Sequence, residues 1–335
     1  MLVTFPQRNL IIDLAKGILI LFVVIGHSGS VLTKHIFWFH MPAFFFISGL
    51  LFKKFETWEE YKINLLKKYR NYGILYLSYF VIVIILSFLY INFLNFSWYK
   101  TFLKLIIGGR FVGRELGAFW YISCLVFSLT IFSLLLMLVK QKKYQYGILI
   151  VMYLLAHLEA FLQIHYNFTF IIPLNLDVAL IAVCYIAAGF YLKGRVQILM
   201  NNHRHSIQIM FTTLILCIVL IAFDLSGIIN YHLDMKSVIY NSLLGDILIP
   251  MVFTFFILCL SYLLNQSYIF KFLTYFGKYS IAIMFLHFTI LEIYKHYFTY
   301  NWIIFSVLGT TIPLLFAMIC DKFKLTRMLF LKGKV

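Results

Sequence analysis

Long apolar runs alternate with short polar segments along the whole chain. A helix that crosses ~30 Å of hydrocarbon needs about 20 mostly apolar residues, and many of the runs approach that length. The pattern therefore predicts an all-α polytopic membrane protein that forms one integral-membrane domain over residues 1–335. Ten transmembrane helices are predicted, of which the second and fifth are short, at residues 10–31, 36–52, 73–94, 118–139, 146–162, 176–193, 206–224, 246–264, 279–297 and 302–319.

The composition narrows the class further. The chain is 63% hydrophobic and 12% charged, whereas about a quarter of the residues in a soluble domain are charged. A net charge of +16 would suit a nucleic-acid-binding protein. However, the Lys and Arg residues fall in short loops between spans, where they set orientation in the bilayer. We expect membrane lipids around the protein, a location in the cell membrane and no nucleic-acid partner.

Positive charge is distributed unevenly between the two sides of the predicted bundle. With both termini cytoplasmic, the inner segments hold 20 of the 28 Lys and Arg residues and the outer segments hold 7. Cytoplasmic loops carry the excess of positive charge, so both termini are predicted to be cytoplasmic. Four of the outer charges lie in residues 100–114, where they face either an anionic outer substrate or lipid headgroups.

Three ionisable residues fall on one face of the first span. At about 100° per residue, Asp13, Lys16 and His27 lie within a stripe about 60° wide, and Lys16 and His27 are about 16 Å apart along the axis. Taken singly, Asp13 and Lys16 could form a pair at the inner mouth, and His27 could lie at the outer interface. Together they predict a polar stripe that faces a cavity. A His at its outer end can act as a general base near neutral pH.

A second histidine is expected beside the first. His40 opens the second span after a short hairpin, so it should lie at the depth of His27 on a neighbouring helix. His40 could act with His27 as a base and orient the substrate, or it could cap the start of the helix. For Ser48 and Gly49 we favour small-residue helix packing. Ser48 lies near the inner end, which makes a Ser–His nucleophile pair improbable.

The loop over residues 53–70 reads as an amphipathic interfacial helix that leads into the third span. Its end carries Lys67, Lys68 and Arg70 at the predicted inner mouth. Such clusters bind phosphates, although positive-inside anchoring explains the same residues.

Two later spans contribute further candidates. Trp120 opens the fourth span and lines either the cavity or the interface. Ser280 and His287 are seven residues apart in the ninth span and share a face. A lone His in mid-membrane is a functional candidate, while packing against Ser or Tyr explains it equally well. The five cysteines show no spacing typical of a metal site, and we expect no metal cofactor.

Five stretches, in this order along the chain, resemble the acyltransferase type 3 family of integral-membrane acyltransferases. They are RNLIIDLAKGILILFVVIGH (8–27), FHMPAFFFISG (39–49), FWYISCL (119–125), LNLDVALIAVCYIAAGFYLK (174–193) and FGKYSIAIMFLH (276–287). The first contains a basic residue, ten intervening residues and a histidine, here Lys16 and His27. The second is the most specific match. The family's basic pair after the second helix is degraded here to Lys67-x-x-Arg70 or Lys68-x-x-Asn71.

The resemblance implies transfer of an acyl group, usually acetyl, from acetyl-CoA to a sugar hydroxyl of a surface polysaccharide or its lipid-linked precursor. Lys67, Lys68 and Arg70 would bind the coenzyme on the cytoplasmic side. His27, with His40 nearby, would deprotonate the hydroxyl or relay the acyl group, and the sequence leaves both routes open. Lys16 and Asp13 would order the thioester arm or hold each other. Further polar candidates with substrate or structural roles are Arg8, Ser48, Trp120, Asp177, Ser280 and His287.

The short form of the chain looks like the branch that modifies exopolysaccharides and sugars, so polysaccharide-synthesis proteins are candidate partners. A polysaccharide exporter, or a proton-coupled transporter that uses His27 as a relay, is the rival class. Dependence on acyl-CoA separates the two classes. A scaffold role is third, and it predicts that His27 is replaceable.

Overall fold

The computed structural model describes residues 10–91, 97–109, 112–166, 168, 170 and 172–331, with the side chains of residues 98, 104 and 105 left out. Arg8, one of the polar candidates, lies outside the described residues. The basic outer segment 100–114 is described only in part, because Arg110 and the side chain of Lys104 are not included.

The described chain is almost entirely helical. Its α-helices are α1 (Leu10–Gly26), α2 (Thr33–Phe37), α3 (His40–Leu50), α4 (Trp58–Ser87), α5 (Trp98–Ile107), α6 (Phe119–Leu138), α7 (Lys142–Tyr166), α8 (Val178–Met200), α9 (His203–Leu225), α10 (Gly245–Leu264), α11 (Leu273–Lys278), α12 (Ser280–Tyr297), α13 (Trp302–Cys320) and α14 (Lys324–Phe330). Short 3₁₀ turns occur at Arg114–Leu116, Pro173–Asn175 and Tyr268–Phe272. The strands β1 (Leu233–Asp234) and β2 (Ile239–Tyr240) form an antiparallel hairpin.

The protein is an all-α polytopic membrane protein. Seven helices in the described part of the chain are long and apolar enough to cross a membrane, or up to eight if the Tyr268–Lys278 and Ser280–Tyr297 pair, bent by 73°, forms one span. Each of the ten predicted spans coincides with a helix. The first two are shorter than a usual span, because α1 has 17 residues and α3 has 11. The count of ten and the cytoplasmic termini stay predictions.

Helix α3 is short because it lies inside the bundle rather than against lipid. Eleven residues rise only about 16 Å, and every residue of α3 except Ser48 is buried. A Cβ on Gly49 would collide with the carbonyl of Ile186 in α8, and a Cβ on Gly189 would collide with that of Phe46. The two glycines thus let the backbones of α3 and α8 touch, as close membrane-helix packing requires.

Helix α1 is fixed in the same way by α11. A Cβ on Gly17 would overlap the carbonyl oxygen of Leu273, and a Cβ on Gly277 would overlap that of Asp13. Because these backbones are in contact, the polar residues at the start of α1 lie next to the junction between α11 and α12.

The predicted interfacial helix and the third span form one uninterrupted helix, α4, of 30 residues. The Thr57 side chain accepts a hydrogen bond from the Glu60 amide, and the Glu60 carboxylate accepts one from the Glu56 amide, which fixes the helix start. At ~1.5 Å per residue α4 is about 45 Å long, so it extends well beyond one hydrocarbon layer.

The segment 226–244 between α9 and α10 folds over the end of the bundle opposite the α4 start. Its beginning is tied down by Asp224, whose carboxylate accepts hydrogen bonds from Lys34 Nζ at 2.7 Å and the Tyr231 amide at 3.4 Å and pairs with the His35 ring at 3.2 Å. Trp38, fully buried, donates its ring N–H to the Tyr231 carbonyl.

The end of the same segment is tied down by Asp246. This fully buried carboxylate pairs with His157 Nε2 of α7 at 3.0 Å and accepts from the Ser242 amide at 3.1 Å. Neither the Asp224 nor the Asp246 anchor was predicted from the sequence. Both could have been suspected from their positions. Asp224 lies in the last turn of one apolar run, and Asp246 lies in the first turn of the next.

Candidate functional site

The candidate residues fall into two groups, which lie at the two ends of α1 and at the start and the middle of α12. We call the first the inner cleft, because it opens at the end of the bundle predicted to be cytoplasmic. We call the second the outer histidine site, formed by His27, His40 and His287. The structure thus separates the predicted polar stripe of α1 into its two ends.

The inner cleft is a cavity of about 480 Å³ between the first halves of α1, α4, α6 and α12 and the later part of α3. Asp13 and Lys16 of α1 line it, and Ser280 of α12 joins them. Its polar lining consists of Asp13, Lys16, Ser48, Lys53, Asn64, Lys68, Tyr72, Tyr121, Lys278 and Ser280. Lysines predominate, which suits an anionic ligand.

The three basic residues predicted to bind a coenzyme do not act as one group. Lys68 lines the cleft, where its ammonium lies 5.5 Å from the centre of the Phe52 ring and 5.8 Å from that of Phe55. Lys67 and Arg70 are exposed and are not part of the lining. The reason is helical geometry, because each residue turns α4 by about 100° and the cleft touches only one face.

Two further lysines, which were not predicted as site residues, also line the cleft. Lys53 follows α3, and Lys278 ends α11. Lys278 Nζ pairs with Asp321 at 2.5 Å, and this hydrogen bond is the main reason why the pKa of the Asp321 carboxyl is lowered. In the sequence, these two lysines belong to the positively charged inner segments, but nothing there distinguishes them from the other inner lysines.

Ser48 lies at the edge between the α3 packing surface and the cleft. It faces the cleft and donates to the Phe44 carbonyl at 2.9 Å, while its neighbour Gly49 makes the helix contact. Ser48 lies eight residues, about 12 Å along α3, from His40, which separates it from the outer histidine site.

Trp120 and Asp177 also lie away from the cleft lining. Trp120 is buried, and the adjacent Tyr121 reaches the cavity instead. Asp177 is buried at the start of α8, where its carboxylate accepts from the Val178 amide at 2.9 Å. Its position is that of a helix-capping residue.

The outer histidine site brings together three rings from three helices. The His27 ring follows α1 and stacks on His287 of α12, with 5.3 Å between ring centres. His40, the first residue of α3, lies 6.3 Å from His27 in an edge-on arrangement. His27 and His40 were predicted to lie close together, and this geometry agrees with that prediction. His287 is a third ring beside them, which spacing within one helix could not indicate.

Backbone hydrogen bonds fix the orientation of two of these rings. His40 Nδ1 lies 2.8 Å from the Ile36 carbonyl oxygen, and His287 Nδ1 lies 3.0 Å from that of Ile283. A carbonyl only accepts, so each Nδ1 carries the proton and each neutral ring presents an Nε2 lone pair. His287 Nε2 is buried without a hydrogen-bond partner among the described residues. No hydrogen bond joins the His27 ring to any described residue, so its nitrogens are available to a substrate.

Aromatic rings wall the site. Phe288 lies 4.5 Å from His27 and 4.4 Å from His287, between ring centres. Phe37 lies 5.3 Å from His27 and 5.0 Å from His40. These walls limit the contact of the rings with water, which strengthens electrostatic interactions formed between them.

Charged residues of the 226–244 segment complete the surroundings. Lys236 interacts electrostatically with His27, and Asp234 with His40. In the sequence, Lys236 is one of the seven predicted outer charges. The residues next to Lys236 in the sequence do not indicate that it folds close to His27, which is more than 200 residues away.

Helices α1 and α12 connect the two groups. Lys16 and His27 are about 16 Å apart along α1, and Ser280 and His287 are about 10 Å apart along α12. Met284 lines the cleft from the turn that precedes His287. The arrangement offers a cation-rich binding site at one end and acid–base chemistry at the other.

Comparison with known families gives one match. A family model described as an acyltransferase domain matches residues 9–322, which includes both the inner cleft and the outer histidine site. No curated protein and no solved structure matches the chain.

Proposed function

This chain belongs to the acyltransferase domain family, and from that premise we propose that it transfers acetyl from acetyl-CoA to a sugar hydroxyl. The protein is a multi-pass membrane acyltransferase. The proposal adds the donor, the acceptor class and the residues that act on them. The acceptor is a cell-surface polysaccharide or its lipid-linked precursor, and the protein lies in the cell membrane beside polysaccharide-synthesis proteins.

The inner cleft supports binding of the donor. Coenzyme A carries phosphates, and lysine ammonium groups bind phosphate as point charges. Lys16, Lys53 and Lys68 line the cavity. Asp13 offsets part of that charge, and Lys278 is paired with Asp321. We therefore assign the donor phosphates to the Lys53 and Lys68 side of the cleft, and the thioester arm to the side of Lys16 and Ser280.

The outer histidine site supports the transfer step. His27 takes the proton from the sugar hydroxyl while the hydroxyl oxygen attacks the thioester carbonyl carbon. The carbonyl electron pair moves to oxygen, then returns as the carbon–sulfur bond breaks, and the imidazolium of His27 returns a proton to the coenzyme thiolate. His40 and His287 orient the sugar by accepting hydrogen bonds at Nε2.

One observation carries the proposal. A lysine-lined cleft and a histidine cluster lie at the two ends of α1 and share α12, within a chain whose family transfers acyl groups. A cytoplasmic donor and an outer acceptor need that separation, with the thioester arm reaching from the cleft along α1 and α12 towards the histidines. A polysaccharide exporter or proton-coupled transporter has no use for a coenzyme site.

Acyl-CoA dependence is the direct test. Membranes that contain the protein are supplied with labelled acetyl-CoA and a polysaccharide acceptor, and the glycan is examined by NMR for O-acetyl signals. We expect label in the glycan only when both the protein and acetyl-CoA are present. Glycan that crosses the membrane unmodified, without any need for acyl-CoA, would instead establish the transporter function.

A further inference from the structure

We propose that Lys236 stabilises the negative charge that forms on the acyl oxygen during transfer at the outer histidine site. This inference rests on the proposed function and names a residue that neither the family motifs nor the helical spacing selects. Acyl transfer needs a base and a group that stabilises an oxyanion. His27, His40 and His287 can supply the first, but neutral rings that present lone pairs do not supply the second.

The ammonium group of Lys236 is held beside the site by two backbone carbonyls. Lys236 Nζ donates to the Val112 carbonyl at 2.7 Å and to the Gly117 carbonyl at 3.0 Å. An ammonium group has three N–H donors, so one remains. Among the described residues, Lys236 forms no ion pair with a carboxylate.

Gly117 relates this group to the histidines. A Cβ on Gly117 would lie 3.1 Å from Cε2 of Phe288, so the Gly117 backbone and the Phe288 ring are in contact. Phe288 in turn lies against His27, with 4.5 Å between ring centres. Lys236 and His27 interact electrostatically across this contact. The third N–H of Lys236 is therefore a charged donor on the His27 side of the site, beyond the Gly117–Phe288 contact.

The β-hairpin fixes Lys236 in place. The Asp234 carboxylate accepts from the Lys236 amide at 3.1 Å and from the Ser237 hydroxyl at 2.6 Å, which closes the turn. Met235 and Val238 on either side are buried. A side chain held in this way loses little entropy when it binds an oxyanion, as preorganised electrostatic stabilisation requires.

The chemistry follows from the transfer step. As the sugar oxygen bonds to the thioester carbon and His27 takes the proton, the carbonyl oxygen becomes an oxyanion and accepts the third N–H of Lys236. When the carbon–sulfur bond breaks, the charge passes to the thiolate and Lys236 is unchanged. Removal of one oxyanion donor typically lowers kcat by about 10²–10³.

Titration of Lys236 distinguishes this role from a merely structural one. Burial lowers the pKa of Lys236 to about 8. Below that pH the group is charged and has three donors. Above it the neutral amine still has two, enough to keep the bonds to Val112 and Gly117, but the charge and the third donor are lost. The titratable groups on the elements that contact it are Asp234 in the same hairpin, Arg114 and Glu115 between Val112 and Gly117, and His27 at the site.

The experiment measures kcat and KM for acetyl transfer at pH 6.5 to 9.5 in membranes that hold equal amounts of protein. In the wild type, kcat should fall as the pH rises through about 8. Lys236→Arg should remove that decline, because a guanidinium stays charged throughout. Lys236→Met should lower kcat by roughly a hundredfold, with a smaller change in either KM. Lys295→Met, which removes an exposed outer lysine, is the matched control and should be neutral.

The possible outcomes separate the role of Lys236 from the proposed function. A Lys236→Met protein with wild-type kcat, or an unchanged alkaline decline in Lys236→Arg, overturns the inference and leaves the proposed function intact. Wild-type membranes that transfer no acetyl at any pH overturn the proposed function and the inference with it. If Lys236→Met fails to insert, the comparison of wild type with Lys236→Arg still decides.

Discussion

The inner cleft and the outer histidine site lie along the same two helices, yet they hold their side chains in different ways. The cleft is a cavity of about 480 Å³ that is lined by lysines on several separate segments. The histidine site is closed by phenylalanine rings, and two of its three imidazoles are fixed by backbone carbonyls.

This difference indicates how the work is divided. Long cationic side chains around an open cavity can adapt to a large anionic ligand, which is what binding requires. Rings held in one orientation between aromatic walls suit a reaction in which small displacements are costly. Substitutions at the outer site should therefore lower kcat, and those in the cleft should raise KM for the donor.

His27 should show the largest effect. A general base typically contributes 10²–10⁴-fold in rate, so His27→Ala should lower kcat for acetyl transfer by at least about a hundredfold. The ring is only half-buried and makes no hydrogen bond within the described chain, so insertion should survive. Transfer is measured with labelled acetyl-CoA and normalised to the protein in the membrane. A variant at normal level with near wild-type activity would contradict the catalytic role.

His40 and His287 should show the next largest effect. If each accepts one hydrogen bond from the sugar, His40→Ala or His287→Ala should lower kcat/KM by roughly tenfold, since one bond contributes about 1.4 kcal/mol. His232→Ala removes an exposed outer histidine and serves as the control. Equal losses in the control and the two site variants would show that the outer histidines act only through general stability.

Lys68 should separate donor binding from membrane anchoring. Lys68→Gln should raise the KM for acetyl-CoA by several-fold to roughly tenfold, with little change in the KM for the acceptor, because it removes one charge-assisted bond to phosphate. Lys67→Gln is the adjacent control on the exposed face and should be silent. A triple variant that also replaces Arg70 should be no worse than Lys68→Gln. Equal changes in the KM for acetyl-CoA in the Lys67 and Lys68 variants would indicate that the cluster serves only as a positive-inside anchor.

Topology can be tested with no expected loss of activity. Cysteines are placed singly at exposed Glu60 and exposed Ser226 and probed in intact cells with an impermeant thiol reagent. Only Ser226→Cys should be labelled if the 53–70 segment is cytoplasmic. The wild type is the background control, because its five free cysteines are buried or half-buried. Labelling at position 60 with protection at position 226 would reverse the inner and outer assignment of the two sites.

Helical period and charge bias carried much of the sequence analysis. They placed Asp13, Lys16 and His27 on one face of α1, and a single helix keeps such a face without help from the rest of the fold. The same local reasoning was less successful with Lys67, Lys68 and Arg70. Consecutive positions on a helix point in different directions, and only the cavity shows which direction is lined.

Residues brought together from distant parts of the chain were beyond local reasoning. His287 stacks on His27 across 260 positions, and Lys236 is held by Val112 and Gly117. The buried His157–Asp246 pair likewise joins α7 to the start of α10. Each depends on which helices are neighbours, and residue spacing within one helix carries no information about that.

The sequence by itself determined the all-α membrane class, the family and the residues that form the two ends of the α1 stripe. These follow from apolar length, residue spacing and motif order, all of which are local properties of the chain. Only the tertiary structure decided that Lys68 alone of its cluster reaches the cleft, that His287 joins His27, and that Lys236 folds over them. The physical reason is packing. The contacts at Gly17, Gly277, Gly49 and Gly189 set which backbones touch, and those contacts fix which side chains share a cavity.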